Sequence, residues 1–478
     1  LNTKRLCALI ASLPTLFCLT TSCGKVGPDW KSPGVTSYHE WTEDNARVTS
    51  GEEDLSHWWT QFDDPTLTYL IETARLSNAT LTAKAWRIEE ARAALGIAVG
   101  EFFPQQQRAF GSHYDIQLSK NGPNTQLADL KFKDALLGFQ SSWELDFWGK
   151  FRRGIESAEA DYSASIEDYR DFLVILTADV ASAYFRLKTI EERLLILDDN
   201  IRIQARGLEI ASARFEAGYV TDLDVQQAKA LLKETEARKP LLLLEKVNAE
   251  NSLAVLTGKS PETMRNLSCN FNPLPPPPLQ MAAGVPADLL CRRPDIRRAT
   301  LIARSSLARI GIAESELYPS LSISGSIGLE SAFSTQSTKA DRKFFSSDSL
   351  FFSYGPSFSW PILNYGRLEN QVIRQKAIYY SLLSELENSV LSAYAEAENA
   401  LAAFVYFHDQ VTVLEEMAKA ARRATSLANT QYVEGMADYT RVLTASEKAL
   451  EAEERLAESK GNIFQSVVST YKSLGGGW

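Results

Sequence analysis

Two stretches of this 478-residue chain carry a seven-residue apolar rhythm sustained well beyond the length of an ordinary globular helix. In the first, Tyr162, Tyr169, Leu176, Ala183, Ile190 and Leu197 interleave with Ile166, Leu173, Val180, Leu187, Leu194 and Ile201. In the second, Tyr379, Leu386, Ala393, Ala400, Phe407 and Leu414 interleave with Leu383, Val390, Ala397, Phe404 and Val411, using smaller residues. Apolar positions alternately three and four apart fall on one stripe of an α-helix, so each series predicts a long helix with a coiled-coil seam. Proline, the residue that most disrupts a helix, is absent between Pro123 and Pro240 and after Pro361. A helix from about Lys150 to Ala213 would be on the order of 95 Å long at ~1.5 Å per residue, more than a compact domain needs. Turn signals at Gly218 and Gly435 interrupt the pattern, which then resumes toward Thr257 and Tyr471. The chain is therefore expected to contain two long antiparallel helical hairpins, over 149–257 and 366–472.

A different period precedes each hairpin. Phe139, Ser141, Trp143, Leu145 and Phe147 alternate with Gln140, Ser142, Glu144 and Asp146. Leu321, Ile323, Ile327 and Leu329 alternate with serines, as do Phe352, Tyr354, Phe358 and Trp360 with Ser353, Gly355, Ser357 and Ser359. Phe110, Tyr114 and Ile116 similarly flank Gly111, His113 and Asp115. Period two means strand, which predicts two β-hairpins, 104–147 and 319–362, with polar loops near Asn121-Gly122-Pro123 and from Ser334 to Ser349. Such alternation suits a sheet with one face on a core and one in water. Aromatic-rich apolar faces on three of the strands, opposed by serine, glycine and small polar groups, instead suit a transmembrane barrel with lipid outside and water inside. Four strands cannot close alone and lipid does not tolerate open edges, so the barrel is expected to be shared between copies of the chain, three copies giving twelve strands.

Helix after strand, twice over, reflects an internal duplication. Trp143, Gly149 and Gly218 match Trp360, Gly366 and Gly435 at one offset (435 − 218 = 217). Gly96-Ile97-Ala98, Glu101 and Phe103-Pro104 match Gly311-Ile312-Ala313, Glu316 and Tyr318-Pro319 at a slightly shorter one (311 − 96 = 215). The reading is an internally duplicated α+β chain: repeat 1 over 77–260, a Pro-rich linker over 261–291 containing Pro273-Leu274-Pro275-Pro276-Pro277-Pro278, and repeat 2 over 292–478. The polyproline run is expected to link the halves without helix or strand of its own.

Charge and cysteines add the compartment. A net charge of −10 argues against a nucleic-acid partner. Lys4 and Arg5 precede an apolar run from Leu6 to Leu19, long enough for an export signal and too short to span a bilayer, so 1–22 reads as a signal peptide. Thr20-Thr21-Ser22-Cys23 looks like a bacterial lipoprotein signal, with diacylglycerol and an acyl lipid on Cys23. Segment 23–76 would be the lipidated N-terminal part, and Gly24 fits sorting to the outer membrane of a Gram-negative cell. Cys269 and Cys291 could pair in an oxidising periplasm, although nothing in the sequence brings them together. His39, His57, His113 and His408 form no metal spacing, and no nucleophile or phosphate-loop motif points to an enzyme or a cofactor.

Cys23 with Val26-Gly27-Pro28-Asp29-Trp30, then Trp58-Trp59, Phe62, Asp64-Pro65 and Leu67, resemble the start of mature proteins of the TolC/OprM family of outer-membrane efflux proteins, in its NodT-like lipoprotein branch. Ala91-Arg92 leading to Phe102-Phe103-Pro104, and Arg292-Arg293-Pro294-Asp295-Ile296 leading to Tyr318-Pro319, resemble that family's helix-to-strand junctions, and Tyr471-Lys472 with Leu474-Gly475-Gly476-Gly477-Trp478 its end. The resemblance implies a homotrimer with a twelve-stranded barrel, a twelve-helix periplasmic tunnel and an equatorial domain. It further implies a periplasmic adaptor and an inner-membrane RND pump as partners, and passive conduction of drugs or other small toxic compounds.

A gate is expected where the hairpins turn. The turns contain Arg214 and Gly218 with Thr221 to Val225, and Gln431 to Gly435 with Asp438 to Val442. Glycine supplies the turn, and acids favour the start of the next helix. By resemblance, Tyr432 and Asp224 would keep the tips closed; Asp222 either joins them or, the preferred reading, caps the helix or is solvated, with Asp438 beside them and Arg214, Gly218 and Gly435 at the turns where an adaptor docks. Family members carry acidic residues past the second turn, where this chain has Arg441 and Thr444. Arg441 either rings the constriction or pairs with Asp224, its counterpart in repeat 1, and the bridge is preferred because unpaired arginines around one pore repel each other. An exit duct for type I protein secretion and a non-conducting, envelope-tethering coiled-coil lipoprotein are the competing functions.

Overall fold

The computed structural model describes residues 24–34, 41, 47–49, 55–122, 130–268, 274–282, 292–334 and 344–478. The apolar leader, Cys23, Cys269 and Cys291 lie outside these residues. Strands are β1 (Val48–Thr49), β2 (Gln106–Gln117), β3 (Lys131–Leu145), β4 (Met281–Ala282), β5 (Ser320–Ser334) and β6 (Leu350–Ser359). Helices are α1 (Pro65–Ser77), α2 (Ala79–Phe102), α3 (Lys150–Glu216), α4 (Asp222–Thr257), α5 (Pro261–Ser268), α6 (Pro294–Ser315), α7 (Arg367–Val433) and α8 (Tyr439–Ser473). The two longest, α3 and α7, are each 67 residues and start and stop at equivalent points of the two repeats. α4 runs through Pro240 without interruption. Among the described residues the linker range contains a helix, α5, as well as β4. Pro261 opens it and Ser260 Oγ accepts from the Thr263 amide at 3.2 Å, a start signal readable in Ser260-Pro261-Glu262.

The described residues fall into two units, each built from three stretches of chain. The first, within Leu1–Pro33, Ile88–Ala164 and Ala299–Glu385, holds an antiparallel sheet of order β2-β3-β5-β6. Its register sorts the faces. Phe139 pairs with Ile327 and Ile327 with Phe352; Leu137 pairs with Leu329 and Leu329 with Leu350. Phe139, Ile327 and Phe352 are all exposed, so three strands share an outward apolar face. The first strand departs from the expectation. Phe110 pairs with Gly138, Tyr114 with Asp134 and Ile116 with Phe132, which sets these three side chains on the opposite, serine-bearing face. Alternation within one strand gives its period but not its phase relative to a neighbour, and pairing alone fixes the latter.

Strand and helix are joined alike in both repeats. The Trp143 indole donates to Phe102 O at 3.2 Å and the Trp360 indole to Leu317 O at 3.0 Å, each fastening a β-strand to the end of the preceding helix. The N-terminal strap also lies in this unit. Val26 N donates to Trp148 O at 3.0 Å, and Arg153 reaches Val26 O, Gly27 O and Asp29 Oδ1 at 3.1, 2.9 and 2.9 Å. Gly27 has a φ of +86° and faces Gly311 so closely that an added Cβ would lie 2.5 Å from Gly311 Cα. The Val26-Gly27-Pro28 motif is thus read from its packing against Gly311 and Arg153.

The second unit, within Gly34–Arg87, Ser165–Arg298 and Leu386–Trp478, has an aromatic core. Trp58 stacks on Tyr471 at 5.2 Å and Phe185 on Phe464 at 4.5 Å. Arg75 donates to Gly477 O at 2.6 Å. The motifs near the two ends of the sequence therefore meet in one core. The short parallel pairing of β1 with β4 and the Leu274 side chain belong to it too. Asp64 is its polar hinge: the carboxylate caps α1 through Thr66 N and Leu67 N and accepts from Tyr184 Oη at 2.6 Å. Burial, then that bond to Asp64, pushes the Tyr184 hydroxyl well above its ordinary range and keeps it a donor. Tyr184→Phe is expected to lower stability by about 1–2 kcal/mol, and Asp64→Ala by more because the cap goes as well. Thermal melting in detergent would check this; equal losses would contradict the double role of Asp64.

Candidate functional site at the hairpin tips

Both long helices end in the same motif because both carry glycine one residue past the last turn. Gly218 and Gly435 adopt φ of +77° and +79°. Tyr219 N donates to Arg214 O at 2.9 Å and Met436 N to Gln431 O at 2.8 Å, which satisfies carbonyls that a helix end leaves open. Thr221 and Asp438 then start α4 and α8 at equivalent positions, neither with a side-chain cap bond. Asp222 and Asp224 lie in the first turn of α4, where a negative charge suits the helix N-terminus.

The contact that holds the tips together comes from Arg214. Its Nη1 donates to Tyr432 O at 2.7 Å and also to Val433 O, two carbonyls at the end of α7. The guanidinium stacks 5.1 Å over the Tyr432 ring. Arg214 thus caps a helix of the other repeat, with a cation at a helix C-terminus where charge and partial charge attract. Tyr432 is 2% exposed, and its hydroxyl donates to Asp224 Oδ2 at 3.4 Å, a long bond and correspondingly weak. Burial, then the Asp224 charge, push the Tyr432 phenol up to about 12. Tyr439 meets Tyr432 edge-on at 5.2 Å, and burial pushes it up to about 12 too. Its hydroxyl lies over Gly207, where an added Cβ would be only 3.2 Å away. Ala211, Ala228, Ala428 and Val442 complete this small apolar cluster.

Tyr432, Asp224 and Arg214 are thus brought together, while the other expected residues stand apart from them. Asp222 is exposed and accepts from Gln226 at 3.2 Å, and Thr444 bonds within its own helix, to Thr440 O at 3.0 Å. Asp438 is exposed at the start of α8. The preferred Arg441–Asp224 bridge is not formed within the chain. Asp224 is turned to Tyr432, and Arg441 is exposed without an ion pair among the described residues. Equivalent positions in two repeats need not be neighbours, since each occupies its own copy of the hairpin. Tyr439 and Gly207 were missed. The signal was there in the repeat comparison, where Tyr439 replaces Asp222 and Gln431 stands opposite Arg214.

The sequence model of the family described as outer membrane efflux protein matches residues 70–259 and again 285–476, once per repeat. The chain belongs to the outer membrane efflux protein family. The pyoverdine export outer membrane protein OpmQ of Pseudomonas putida is 29% identical to it over 480 residues, 99% of this chain and 98% of its own. The toluene efflux pump outer membrane protein TtgI of Pseudomonas putida is 28% identical, covering 98% of each. Among solved structures, the outer-membrane channel OprN superposes with a TM-score of 0.84 at 31% identity, covering 95% of this chain and 99% of its own. The Campylobacter jejuni CmeC outer membrane channel shares the fold with a TM-score of 0.86 at 22% identity, covering 95% of each. As an outer membrane efflux protein the chain is a channel and not an enzyme. It is the outer-membrane component of a tripartite efflux pump of a Gram-negative bacterium, reaching into the periplasm.

Arg214→Ala would leave the Tyr432 and Val433 carbonyls without their charged donor. Amide exchange at the following turn is expected to quicken about ten- to a hundredfold, the equivalent of about 1.5–3 kcal/mol for bonds to a charged group. Exchange unchanged at 433–436 would show that the cap contributes nothing.

Proposed function

We propose that three chains close a twelve-stranded barrel and a helical tunnel, and that the tips described above form its periplasmic gate. The reading is carried by a contact that each chain makes once and leaves open once. In the first unit, Trp148, leaving the first β-hairpin, stacks on Tyr318 at 4.5 Å and donates to Pro319 O at 2.8 Å, where the second begins. The repeat equivalents of Trp148 and Tyr318 are Tyr365 and Phe103, which are 96% and 58% exposed. In the second unit Gly461 of α8 lies against Thr189 of α3, while their equivalents Leu244 and Tyr406 are both exposed. A ring of repeats supplies the missing halves from the next chain, since exit meets entry within a chain and again between chains. The apolar sheet face would meet lipid, and the free edges of β2 and β6 would pair across chains.

Lipid on Cys23 fits this arrangement. Val26 is bonded at the start of α3, directly after β3, and three residues of extended chain reach on the order of 10 Å, which holds an acyl anchor beside the sheet. An adaptor docking at the tips and an RND pump in the inner membrane would complete the pathway. Relatives named for pyoverdine export and toluene efflux point to small-molecule cargo, with the choice of compound left to the pump.

Tyr365→Cys with Phe103→Cys, in a chain carrying serine at 269 and 291, is expected to give cross-linked trimers with a short bifunctional reagent. Neither single variant should do so. Cross-links only within one chain, or none in a chain that runs as a trimer, would sink the pairing. A titration separates the gate from the barrel. Tyr432 has an ordinary value of 10.0 and sits at about 12 in place, so the folded tip keeps a proton that an opened one loses. Its contribution is complete below pH 10 and fades as pH rises toward 12. Channel openings in planar bilayers should therefore stay flat from pH 7 to 10 and increase above it; openings that climb between pH 7 and 9 would remove Tyr432 from the gate.

A further inference from the structure

On the serine-bearing face of the sheet one row differs from the rest. Across the strand order, Phe110, Gly138, Gly328 and Phe351 lie in register: Phe110 pairs with Gly138, Gly138 with Gly328 and Gly328 with Phe351. The next row on the same face is Arg108, Gln140, Ser326 and Ser353, the last two with hydroxyls 3.1 Å apart. A phenylalanine therefore stands at each end of a pair of glycines, beside a wall of hydroxyls and an amide.

The rings lie over the glycines. A Cβ on Gly138 would fall 2.7 Å from Phe110 Cζ, and one on Gly328 would fall 2.7 Å from Phe351 Cε1. Each ring occupies the space that a side chain at the centre of the row would need. The strands are also close there, because the same added atoms would meet Ile327 O at 2.9 Å and Leu137 O at 2.5 Å. Glycine within a strand otherwise weakens it, and covering it with a cross-strand aromatic ring restores apolar contact. A groove of about 430 Å³ opens beside Phe110, Gln140, Ser326 and Ser353.

Resting on the barrel reading above, in which this face lines the lumen, we propose that Gly138 and Gly328 hold Phe110 and Phe351 folded against the wall. Their packing sets the bore at that level and gives passing cargo an apolar contact in an otherwise hydroxyl-lined passage. Around three chains the row would read as alternating pairs of phenylalanines and glycines. A ring lying flat narrows the passage little; the same ring turned off its glycine would project into it.

Single-channel conductance in planar bilayers tests this with a cycle of variants, each first run as a heat-resistant trimer. Gly138→Ala is expected to displace Phe110 and lower conductance on the order of 1.5- to 2-fold, and adding Phe110→Ala to restore it. A Gly138→Ala channel that conducts like the parent, or a double variant that stays as low as the single, would overturn the proposal. Because the alanine also presses on the Ile327 carbonyl, a second pair guards against a chain that does not assemble. Phe110→Ala/Phe351→Ala should conduct more than the parent and Phe110→Trp/Phe351→Trp less, and equal conductance in both would overturn it. Failure of the parent chain itself to conduct would count against the barrel reading instead.

Discussion

In hydrocarbon, every backbone N–H and C=O must find its partner within protein, and a four-stranded sheet leaves two edges for which a single chain offers none. That constraint orders the rest. An apolar face of Phe139, Ile327 and Phe352 is stable only against lipid, and lipid is tolerable only once the edges of β2 and β6 are paired. The sheet cannot be stable alone, so the chain must bring complementary edges elsewhere too. Tyr365 and Phe103, and Tyr406 and Leu244, are exposed where their repeat equivalents are in contact, and they would serve as such edges in the proposed trimer.

Most of the architecture was legible because it is written in periods. The heptads of α3 and α7 and the alternation of β3, β5 and β6 survive in any environment that has one apolar side. What was not legible depends on relations between elements. The side on which β2 presents Phe110 is set by its pairing with β3, and no property of β2 alone contains it. Trp58-Trp59 and Tyr471 were recognised as separate motifs, whereas stacking of Trp58 on Tyr471 makes them one core. α5 was hidden by the proline-rich run that follows it, although Pro261 behind Ser260 is a helix start.

The tips show the same division. The glycine turns followed from sequence and match in both repeats. Two partners stood open for Asp224, Tyr432 by family resemblance and the repeat counterpart Arg441 on charge, and it is Tyr432 that occupies the position. Arg214 had been placed at a turn, and its reach to the carbonyls of Tyr432 and Val433 belongs to tertiary geometry. A charged donor on helix-end carbonyls outweighs the long Tyr432–Asp224 bond, so the arginine and not the carboxylate is the stronger fastening.

Gln431 occupies in repeat 2 the place that Arg214 holds in repeat 1, so the fastening exists once per chain and has no twin. Six identical subunits would have to repeat every seam alike. Two repeats in one chain lift that obligation: Arg214 rivets α3 to the end of α7 within the chain, and the equivalent position carries Gln431. In the proposed trimer, rivets at alternate seams would let the ring part along the others, as three leaves rather than six. A doubled chain thus gives mutation a means to decide where such a ring comes apart, a choice that no change in an undivided hexamer could make.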